Sequence, residues 1–275
     1  MKNKSISILI VNYNTSDFIK LSLYALSILT RNTYHVYICD NGSRNKDREK
    51  LEKMKYTYDN ITIYSRHQSQ EGSVGHAEAL DFLLEKVQST YTVILDADCI
   101  FLYNGWDELL IKELKNKVVI AGTPPVSIQK QKPHDFPLMY AVIFITEIYN
   151  RLNISMMPDL NNLEKGMDTG YQMREKYLNA GFLGYTLICN STRVDKSGPF
   201  GKTTFCAEYY HPDIESIVAC HFGRGSTLGY AKFKSFSYKI PFYGKFIKFI
   251  RSRIDKKRWI SKCYKIINQQ KDFSH

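Results

Sequence analysis

Two aspartates that directly follow an apolar segment are the strongest candidates for chemistry in this sequence. Asp96 and Asp98 lie two positions apart, immediately after the segment Tyr91–Leu95. Two such carboxylates at a strand end can point toward one divalent cation and the diphosphate it bridges, because Mg²⁺ and Mn²⁺ prefer oxygen ligands. A short Asp-X-Asp motif is also compatible with a solvated turn, but the apolar strand before it favours a metal site.

Polar residues also follow the first two apolar segments of the chain. Asn12, Tyr13 and Asn14 come after the first segment, and Asp40 ends the second one in the sequence Asp-Asn-Gly-Ser. That tetrapeptide forms a good turn without any ligand. Alternatively, the carboxylate of Asp40 is placed to accept a hydrogen bond from a base N–H or a ribose hydroxyl.

The elements that must position these residues alternate between strand and helix over the first hundred positions, which predicts a parallel α/β sheet. Ligands of such sheets bind beyond the carboxyl ends of the strands, so the polar residues should converge there. We predict strands at Ser5–Val11, Tyr34–Cys39, Ile61–Tyr64, Tyr91–Leu95, Val118–Ala121, Leu138–Ile145, Leu183–Cys189 and Ile217–His221. Helices are predicted from Thr15 to about Leu29 and at Lys46–Lys55, Ala77–Val87, Trp106–Leu114 and Thr169–Asn179.

Taken in order, these motifs resemble the family-2 glycosyltransferases of GT-A fold. The resemblance rests on ISILIVNYN, VYICDNGS and ILDAD in the first hundred residues, then on the segments 167–174, 180–182 and 219–226, and it covers roughly residues 5–229. It implies a GT-A type α/β fold with a mostly parallel sheet and flanking helices. It also implies a divalent metal (Mn²⁺ or Mg²⁺), a nucleoside-diphosphate sugar as donor, and transfer with inversion.

The resemblance assigns roles to particular residues. Asp168 falls on the catalytic base, and Asp96, Asp98 and His221 form the implied metal cluster. The residues expected at the donor are Asn12, Tyr13, Asn14, Asp40, His76 and Asp96. Met167 and Gly170 replace acids of the family pattern, and the arginine usual near the diphosphate is either missing or replaced by His76 or Arg66.

Transfer with inversion needs a base that takes the acceptor's proton while the acceptor oxygen attacks the anomeric carbon. A metal offsets the charge that develops on the departing nucleoside diphosphate. Each assignment has an alternative: Glu208 is a rival base, Asp168 could cap a helix instead, and His221 could be a hydrogen-bonded strand histidine.

The positive charge of the protein is confined to the end of the chain. Residues 1–229 hold 25 basic and 25 acidic residues, whereas 230–275 hold 13 basic and 2 acidic ones, so that 13 − 2 gives the net charge of +11. Within residues 240–267, apolar side chains recur every three or four positions between lysines and arginines, which predicts a basic amphipathic helix. An anionic membrane surface suits it best, and packing on the catalytic domain or binding to nucleic acid are the alternatives.

We therefore divide the chain into a catalytic domain (1–229) and a basic tail (230–275). The domain comprises a nucleotide-sugar half (about 1–122) and an acceptor half (123–229). The six cysteines include no CxxC pair, and no export signal or membrane span is evident, so we expect a cytoplasmic protein, at most peripheral on the inner face of the membrane.

The expected acceptor is a glycan or lipid-linked molecule in cell-surface polysaccharide or lipid-linked glycan synthesis. Modification of a nucleic-acid base and a non-catalytic scaffold are the alternatives. A nucleotidyltransferase is disfavoured, because residues 12–17 lack the glycine-rich loop typical of that class.

Overall fold

The first four apolar segments form adjacent strands connected by helices. The computed structural model describes residues 5–67, 70, 72–126, 129, 131–202, 205–227 and 243–272. In the first hundred residues the elements are β1 (Ile6–Asn12), α1 (Ser16–Leu29), β2 (Tyr34–Asn41), α2 (Asn45–Glu52), β3 (Ile61–Arg66), α3 (Ser73–Leu84), β4 (Tyr91–Leu95) and β5 (Cys99–Phe101). The strands are rich in Ile, Val and Leu because the central ones are buried on both faces of the sheet.

The remaining residues complete this sheet and build a second one. The elements are α4 (Trp106–Glu113), β6 (Val118–Gly122), β7 (Ala141–Ile145), α5 (Thr146–Arg151), α6 (Tyr171–Asn179), β8 (Leu183–Thr186), β9 (Ile188–Ser191), β10 (Ala207–Tyr210), β11 (Ile217–His221) and α7 (Tyr243–Asp272). Short 3₁₀ helices cover Lys53–Tyr56, Leu160–Lys165 and Gly225–Thr227.

The main sheet has seven strands in the order β3-β2-β1-β4-β7-β6-β8, and the second has four in the order β5-β11-β10-β9. In the main sheet only β7 runs against its neighbours, β4 and β6, whereas the second sheet is antiparallel. The predicted α/β architecture with a mostly parallel sheet and flanking helices is thereby confirmed.

Several predicted element boundaries are wrong, for local reasons. The predicted strand Leu183–Cys189 divides at the buried Leu187, whose N–H donates to the Gly122 carbonyl at 2.8 Å, and its two halves join different sheets. The helix predicted from Thr169 begins at Tyr171, because Gly170 adopts a left-handed conformation (φ 74°). The strand predicted from Leu138 begins only at Ala141.

The C-terminal helix is divided between the core and the surface. Trp259 is fully buried, with its ring 5.7 Å from Phe18 and 5.5 Å from Phe222, and its indole N–H points at Cys220 Sγ at 3.1 Å. Packing on the catalytic domain therefore describes the second half of α7. Residues 230–242 of the predicted tail lie outside the described residues, and the division of the chain at residue 229 remains a prediction.

Among the described residues, no helix combines the length and the apolarity needed to span a bilayer.

Replacing Trp259 with alanine should remove a central contact between α7 and the catalytic core. Loss of a fully buried tryptophan lowers the free energy of unfolding by about 3–5 kcal/mol. Ile254→Ala on the same helix is the control, because Ile254 is 43% exposed and should cost less than about 0.5 kcal/mol. Urea denaturation in the absence of lipid measures both, and equal losses would contradict the packing described here.

Candidate active site

The loop after β1 is organised by the buried side chain of Asn12. Its amide donates to Asp40 Oδ1 (2.8 Å), Ser43 Oγ (3.0 Å) and Asp47 Oδ2 (3.0 Å). Its oxygen accepts from the backbone N–H and the hydroxyl of Thr15. Because Asn12 is fully buried and its polar atoms are engaged within the protein, it positions this loop rather than facing a ligand.

Asp40 is the carboxylate that this network holds in place. It is 1% exposed, and while its Oδ1 accepts from Asn12, its Oδ2 is buried and has no hydrogen-bond partner among the described residues. Burying an unpartnered carboxylate oxygen is costly, so this atom is suited to a donor supplied by a ligand. The interaction with a base N–H or a ribose hydroxyl stays a prediction.

Tyr13 and Asn14 complete the loop at the edge of the sheet. Asn14 adopts a left-handed conformation (φ 58°), its N–H donates to Ser43 Oγ at 2.8 Å, and its Oδ1 accepts from the Arg44 N–H. Tyr13, directly before it, is only partly buried. Both residues therefore border the space in front of β1 and β2.

The first turn of α3 connects this loop to the rest of the site. The Gly75 carbonyl accepts from Asn41 Nδ2 at 2.8 Å, His76 Nε2 lies 3.6 Å from Asp96 Oδ1, and the Ser73 carbonyl accepts from the Thr169 hydroxyl at 3.1 Å. Three segments that are far apart in sequence thus meet at one helix end.

Asp96, Asp98 and His221 form the cluster predicted as a metal site. His221 Nε2 lies 3.3 Å from Asp98 Oδ1 and 3.8 Å from Asp96 Oδ2, and each residue offers one ligand atom within 4.8 Å of the others. The aspartates follow β4 of the main sheet, whereas His221 ends β11 of the second sheet. Two carboxylates and one imidazole are a suitable donor set for Mn²⁺, so the residues present fit a divalent cation.

Neighbouring groups hold each member of this cluster. The Gly225 N–H donates to Asp98 Oδ2 at 2.7 Å, and the Phe222 N–H donates to the Asp98 carbonyl. Only glycine fits at position 225, because a Cβ there would lie 2.6 Å from the Asp98 Cβ. The ring of Tyr140 packs against His221, with centroids 4.5 Å apart.

Burial and like charge strongly affect the ionisation of Asp96. Burial, together with the charges of Asp98 and Asp168, raises the pKa of Asp96 to about 7, although His221 and Lys132 oppose the shift. Burial also lowers the pKa of His76, which favours its neutral form. Without a cation the carboxylates repel each other, so the binding of a divalent ion would relieve this repulsion.

Asp168 lies close enough to Asp96 for the two charges to interact, and it is held ionised. Burial by itself would raise the pKa of Asp168, but a hydrogen bond with Ser73, the charge of Lys132 and the Thr169 N–H together bring it below its usual value. Lys132 Nζ lies 3.4 Å from Asp168 Oδ2. The side chain of Asp168 does not cap α6, because Gly170 occupies the N-cap position and no side chain caps the helix.

The rival base is enclosed in the second sheet. Glu208 is fully buried and accepts from Asn190 Nδ2 (2.9 Å), the Phe200 N–H (2.7 Å) and the Tyr210 hydroxyl (3.1 Å). Both of its oxygens are therefore used to join neighbouring segments. Glu208 is a structural carboxylate, which leaves Asp168 as the candidate base.

Sequence reasoning missed Lys132, which lies near both Asp168 and Tyr140, the ring that packs against His221. Its ammonium is 3.4 Å from Asp168 and 5.7 Å from the ring of Tyr140, and its side chain is 15% exposed. The sequence shows only a loop rich in proline and lysine at this point. Arg66, an expected replacement for the family's arginine, instead donates to the Glu78 carbonyl at 2.6 Å.

Comparisons with known proteins agree with this fold. Residues 7–177, more than half of the chain, match the model of glycosyl transferase family 2. None of the curated proteins matches the chain significantly.

The chain is also similar to several solved structures. The mannosyltransferase PcManGT from Pyrobaculum calidifontis has a TM-score of 0.52 and 16% identity, over 66% of this chain and 54% of that one. Residues 1–349 of TarS from S. aureus give a TM-score of 0.43 and 15% identity, over 55% of this chain and 50% of that one. GalNAc-T7 gives 0.49 and 13%, over 66% and 41%.

At 16% identity the likeness to the mannosyltransferase establishes the fold alone. The chain spans about half the length of the structures that it matches. The fold agrees with the extended match to the family model, and the sheet brings together the motifs on which the resemblance rests. The chain therefore belongs to glycosyl transferase family 2 and has the GT-A architecture.

Proposed function

We propose that this glycosyltransferase moves a sugar from a nucleoside-diphosphate donor to a hydroxyl of a glycan or lipid-linked acceptor, with inversion at the anomeric carbon. One observation carries the proposal. The cluster of Asp96, Asp98 and His221 lies at the same edge of the sheet as Asp168, a separate carboxylate that is held ionised. We assign the protein to the synthesis of a cell-surface polysaccharide or a lipid-linked glycan.

The donor would bind along the edge from β2 to β4. Asp40 Oδ2 lacks a protein partner among the described residues and is suited to the nucleoside, with Tyr13 and Asn14 beside it. The diphosphate would lie at Asp96, Asp98 and His221, near the start of α3, where the N-terminal end of a helix favours an anion. His76, next to Asp96 and favoured in its neutral form, can donate a hydrogen bond to a phosphate oxygen.

Asp168 would act as the base. One of its carboxylate oxygens takes the proton of the acceptor hydroxyl as that oxygen forms a bond to the anomeric carbon, and the bond from this carbon to the diphosphate breaks on the opposite face. The electron pair of the broken bond leaves with the nucleoside diphosphate. A divalent cation held by Asp96, Asp98 and His221 would offset the charge of that leaving group.

The ligand class is also suggested by a protein of the same fold. The mannosyltransferase from Pyrobaculum calidifontis is described with GDP-mannose and Mn²⁺. We carry over only a nucleoside-diphosphate sugar and a divalent cation, and leave the sugar and the base open.

The electrostatics of the site argue against a non-catalytic scaffold. Asp96 and Asp98 lie close together in a largely buried turn, where burial and, to a smaller extent, the charge of Asp98 raise the pKa of Asp96 and oppose folding in the absence of a cation. A scaffold has no need of such a destabilising pair, whereas a metal-binding enzyme does.

Asp98→Asn should abolish Mn²⁺-dependent binding of nucleotide. Asparagine is isosteric and can still accept from the Gly225 N–H, so the fold should be retained while a charged ligand is lost. Thermal shift with UDP and GDP, with and without Mn²⁺, measures this. The exposed Asp59→Asn is the control, and an Asp98→Asn variant with unchanged metal dependence would refute the assignment.

Asp168→Asn should lower kcat by a factor on the order of 10²–10⁴, the usual contribution of a positioned base, with donor affinity nearly unchanged. Release of nucleoside diphosphate from a panel of UDP- and GDP-sugars, with water as acceptor, provides the assay. Glu208→Gln should reduce stability instead, because three donors depend on that carboxylate. Normal turnover of Asp168→Asn would eliminate it as the base.

Lys132→Met should move the acid limb of the rate profile to higher pH. The ammonium lowers the pKa of Asp168, so its removal raises that pKa, and the base becomes ionised only at higher pH. Rates should be compared at saturating donor and Mn²⁺, so that the metal ligands do not titrate. Lys132→Arg retains the charge and should keep the original limb, and an unshifted limb in Lys132→Met would contradict this role.

A further inference from the structure

The direction of α7 relative to the donor site has a consequence for where the protein works. Near the start of α1, Asp17 Oδ2 contacts Lys256 Nζ at 3.3 Å, and one to two turns later the ring of Tyr24 lies 5.1 Å from that of Tyr264. Both residue numbers increase together, so α1 and α7 run parallel. Because α1 begins just after the carboxyl end of β1, Lys256 is level with the donor edge of the sheet.

The first half of α7 consequently extends past this edge. The helix begins at Tyr243, and at 1.5 Å per residue the segment before Lys256 is about 20 Å long. It projects on the side of the sheet where the metal cluster and Asp168 lie. We call residues 246–258, which comprise this extension and the helix turn level with the edge, the projecting segment.

One face of the projecting segment is apolar and exposed. Phe246 is 63% exposed, and Phe249, Ile250 and Ile254 are 43%, 42% and 43% exposed. Their spacing of three and four residues puts them on one side of the helix. The opposite side is covered, since Ser252 and Asp255 are buried.

The same segment is strongly basic. It contains six basic residues and one acidic residue. Arg251, Arg253, Lys257 and Arg258 are exposed, and the guanidinium of Arg253 lies 4.2 Å from the centre of the Phe249 ring. Exposed apolar side chains with cations beside them match the boundary between anionic headgroups and acyl chains. Phosphates of a nucleic acid would attract the charges but would not require the apolar face.

We propose that the projecting segment docks on an anionic lipid bilayer and turns the donor edge of the sheet toward the membrane surface. A lipid-linked acceptor would then meet Asp168 at the depth of the headgroups. The docking stands on the helix alone, whereas the choice of acceptor rests on the proposed function.

Vesicle co-sedimentation of the full chain tests the docking. The protein should bind vesicles of phosphatidylcholine with phosphatidylglycerol and should not bind vesicles of phosphatidylcholine alone. Serine at positions 246, 249, 250 and 254 should weaken binding at least about tenfold, because apolar burial in the membrane is lost. Serine at four exposed apolar residues elsewhere, Tyr56, Leu183, Ile188 and Val194, is the matched control and should leave binding unchanged.

The charges can be tested in the same way. Each basic residue near an anionic surface contributes about 1 kcal/mol, or roughly fivefold in binding, so neutralising three should weaken it on the order of a hundredfold. Arg253→Gln, Lys257→Gln and Arg258→Gln form the test variant. Lys46→Gln, Lys53→Gln and Lys55→Gln remove as many exposed charges from another surface and should have little effect.

Fluorescence of single labels on vesicles tests the orientation. Five of the six cysteines are buried, so a Cys189→Ser background accepts single labels. An environment-sensitive dye at Ile250→Cys should shift to the blue on anionic vesicles, and one at Val194→Cys should not. Energy transfer to a headgroup-labelled lipid should be stronger from Ser226→Cys, at the donor edge, than from Lys115→Cys, at the opposite edge.

Three results would overturn the proposal: no binding of the full chain to anionic vesicles, equal binding by the serine variant at 246–254, or equal energy transfer from positions 226 and 115. Loss of a concentration-dependent dimer in that variant, without vesicle binding, would assign the face to a second copy of the chain. Salt-sensitive binding to duplex DNA that the serine variant retains, without vesicle binding, would assign the charges to nucleic acid. Nucleotide binding that depends on Mn²⁺ needs no vesicles, so it should persist in every tail variant. If the wild-type protein does not bind nucleotide in this way, the result counts against the proposed function instead.

Discussion

The structure depends on holding two carboxylates close together, although their negative charges repel each other. Asp96 and Asp98 share a turn after β4 with His221 beside them, and burial raises the pKa of Asp96 to about 7. Such an arrangement persists only if the surrounding structure is rigid and a cation relieves the repulsion when it binds. The other features of the site supply that rigidity or interact with the electric field of the two carboxylates.

Rigidity comes from the junction of the two sheets. His221 reaches the aspartates because β11 pairs with β5, which follows the aspartates directly in the chain. Behind this strand, Trp259 of α7 contacts Cys220 and Phe222, the two neighbours of His221. The C-terminal helix therefore supports a candidate metal ligand from the core, while its other half projects past the donor edge.

The pair formed by Lys132 and Asp168 is the second feature of the site on which its chemistry depends. Lys132 keeps Asp168 ionised, and the same cation lowers the pKa of Asp96. Asp168 and the metal cluster therefore lie within one field. A base that stays ionised and a cluster that gains from a bound cation are the two conditions that the proposed inverting transfer requires.

The sequence alone determined the alternation of strands and helices, the family, and the residues with polar side chains at the carboxyl ends of the strands. These follow from short-range patterns, namely apolar periodicity and compact motifs such as Asp96-Ala97-Asp98. The same patterns did not reveal β5 or β10, because strands of three or four residues carry little periodic signal.

Only the tertiary structure decided the roles that depend on distant contacts. Lys132 is one lysine in a loop until the fold brings it to Asp168, 36 positions away, and Glu208 is a plausible base until the second sheet encloses it. The amphipathic pattern of α7 is likewise compatible with packing or with a membrane along its whole length. Which half is buried depends on where α1 begins beside it, and this is a property of the assembled core rather than of any local segment.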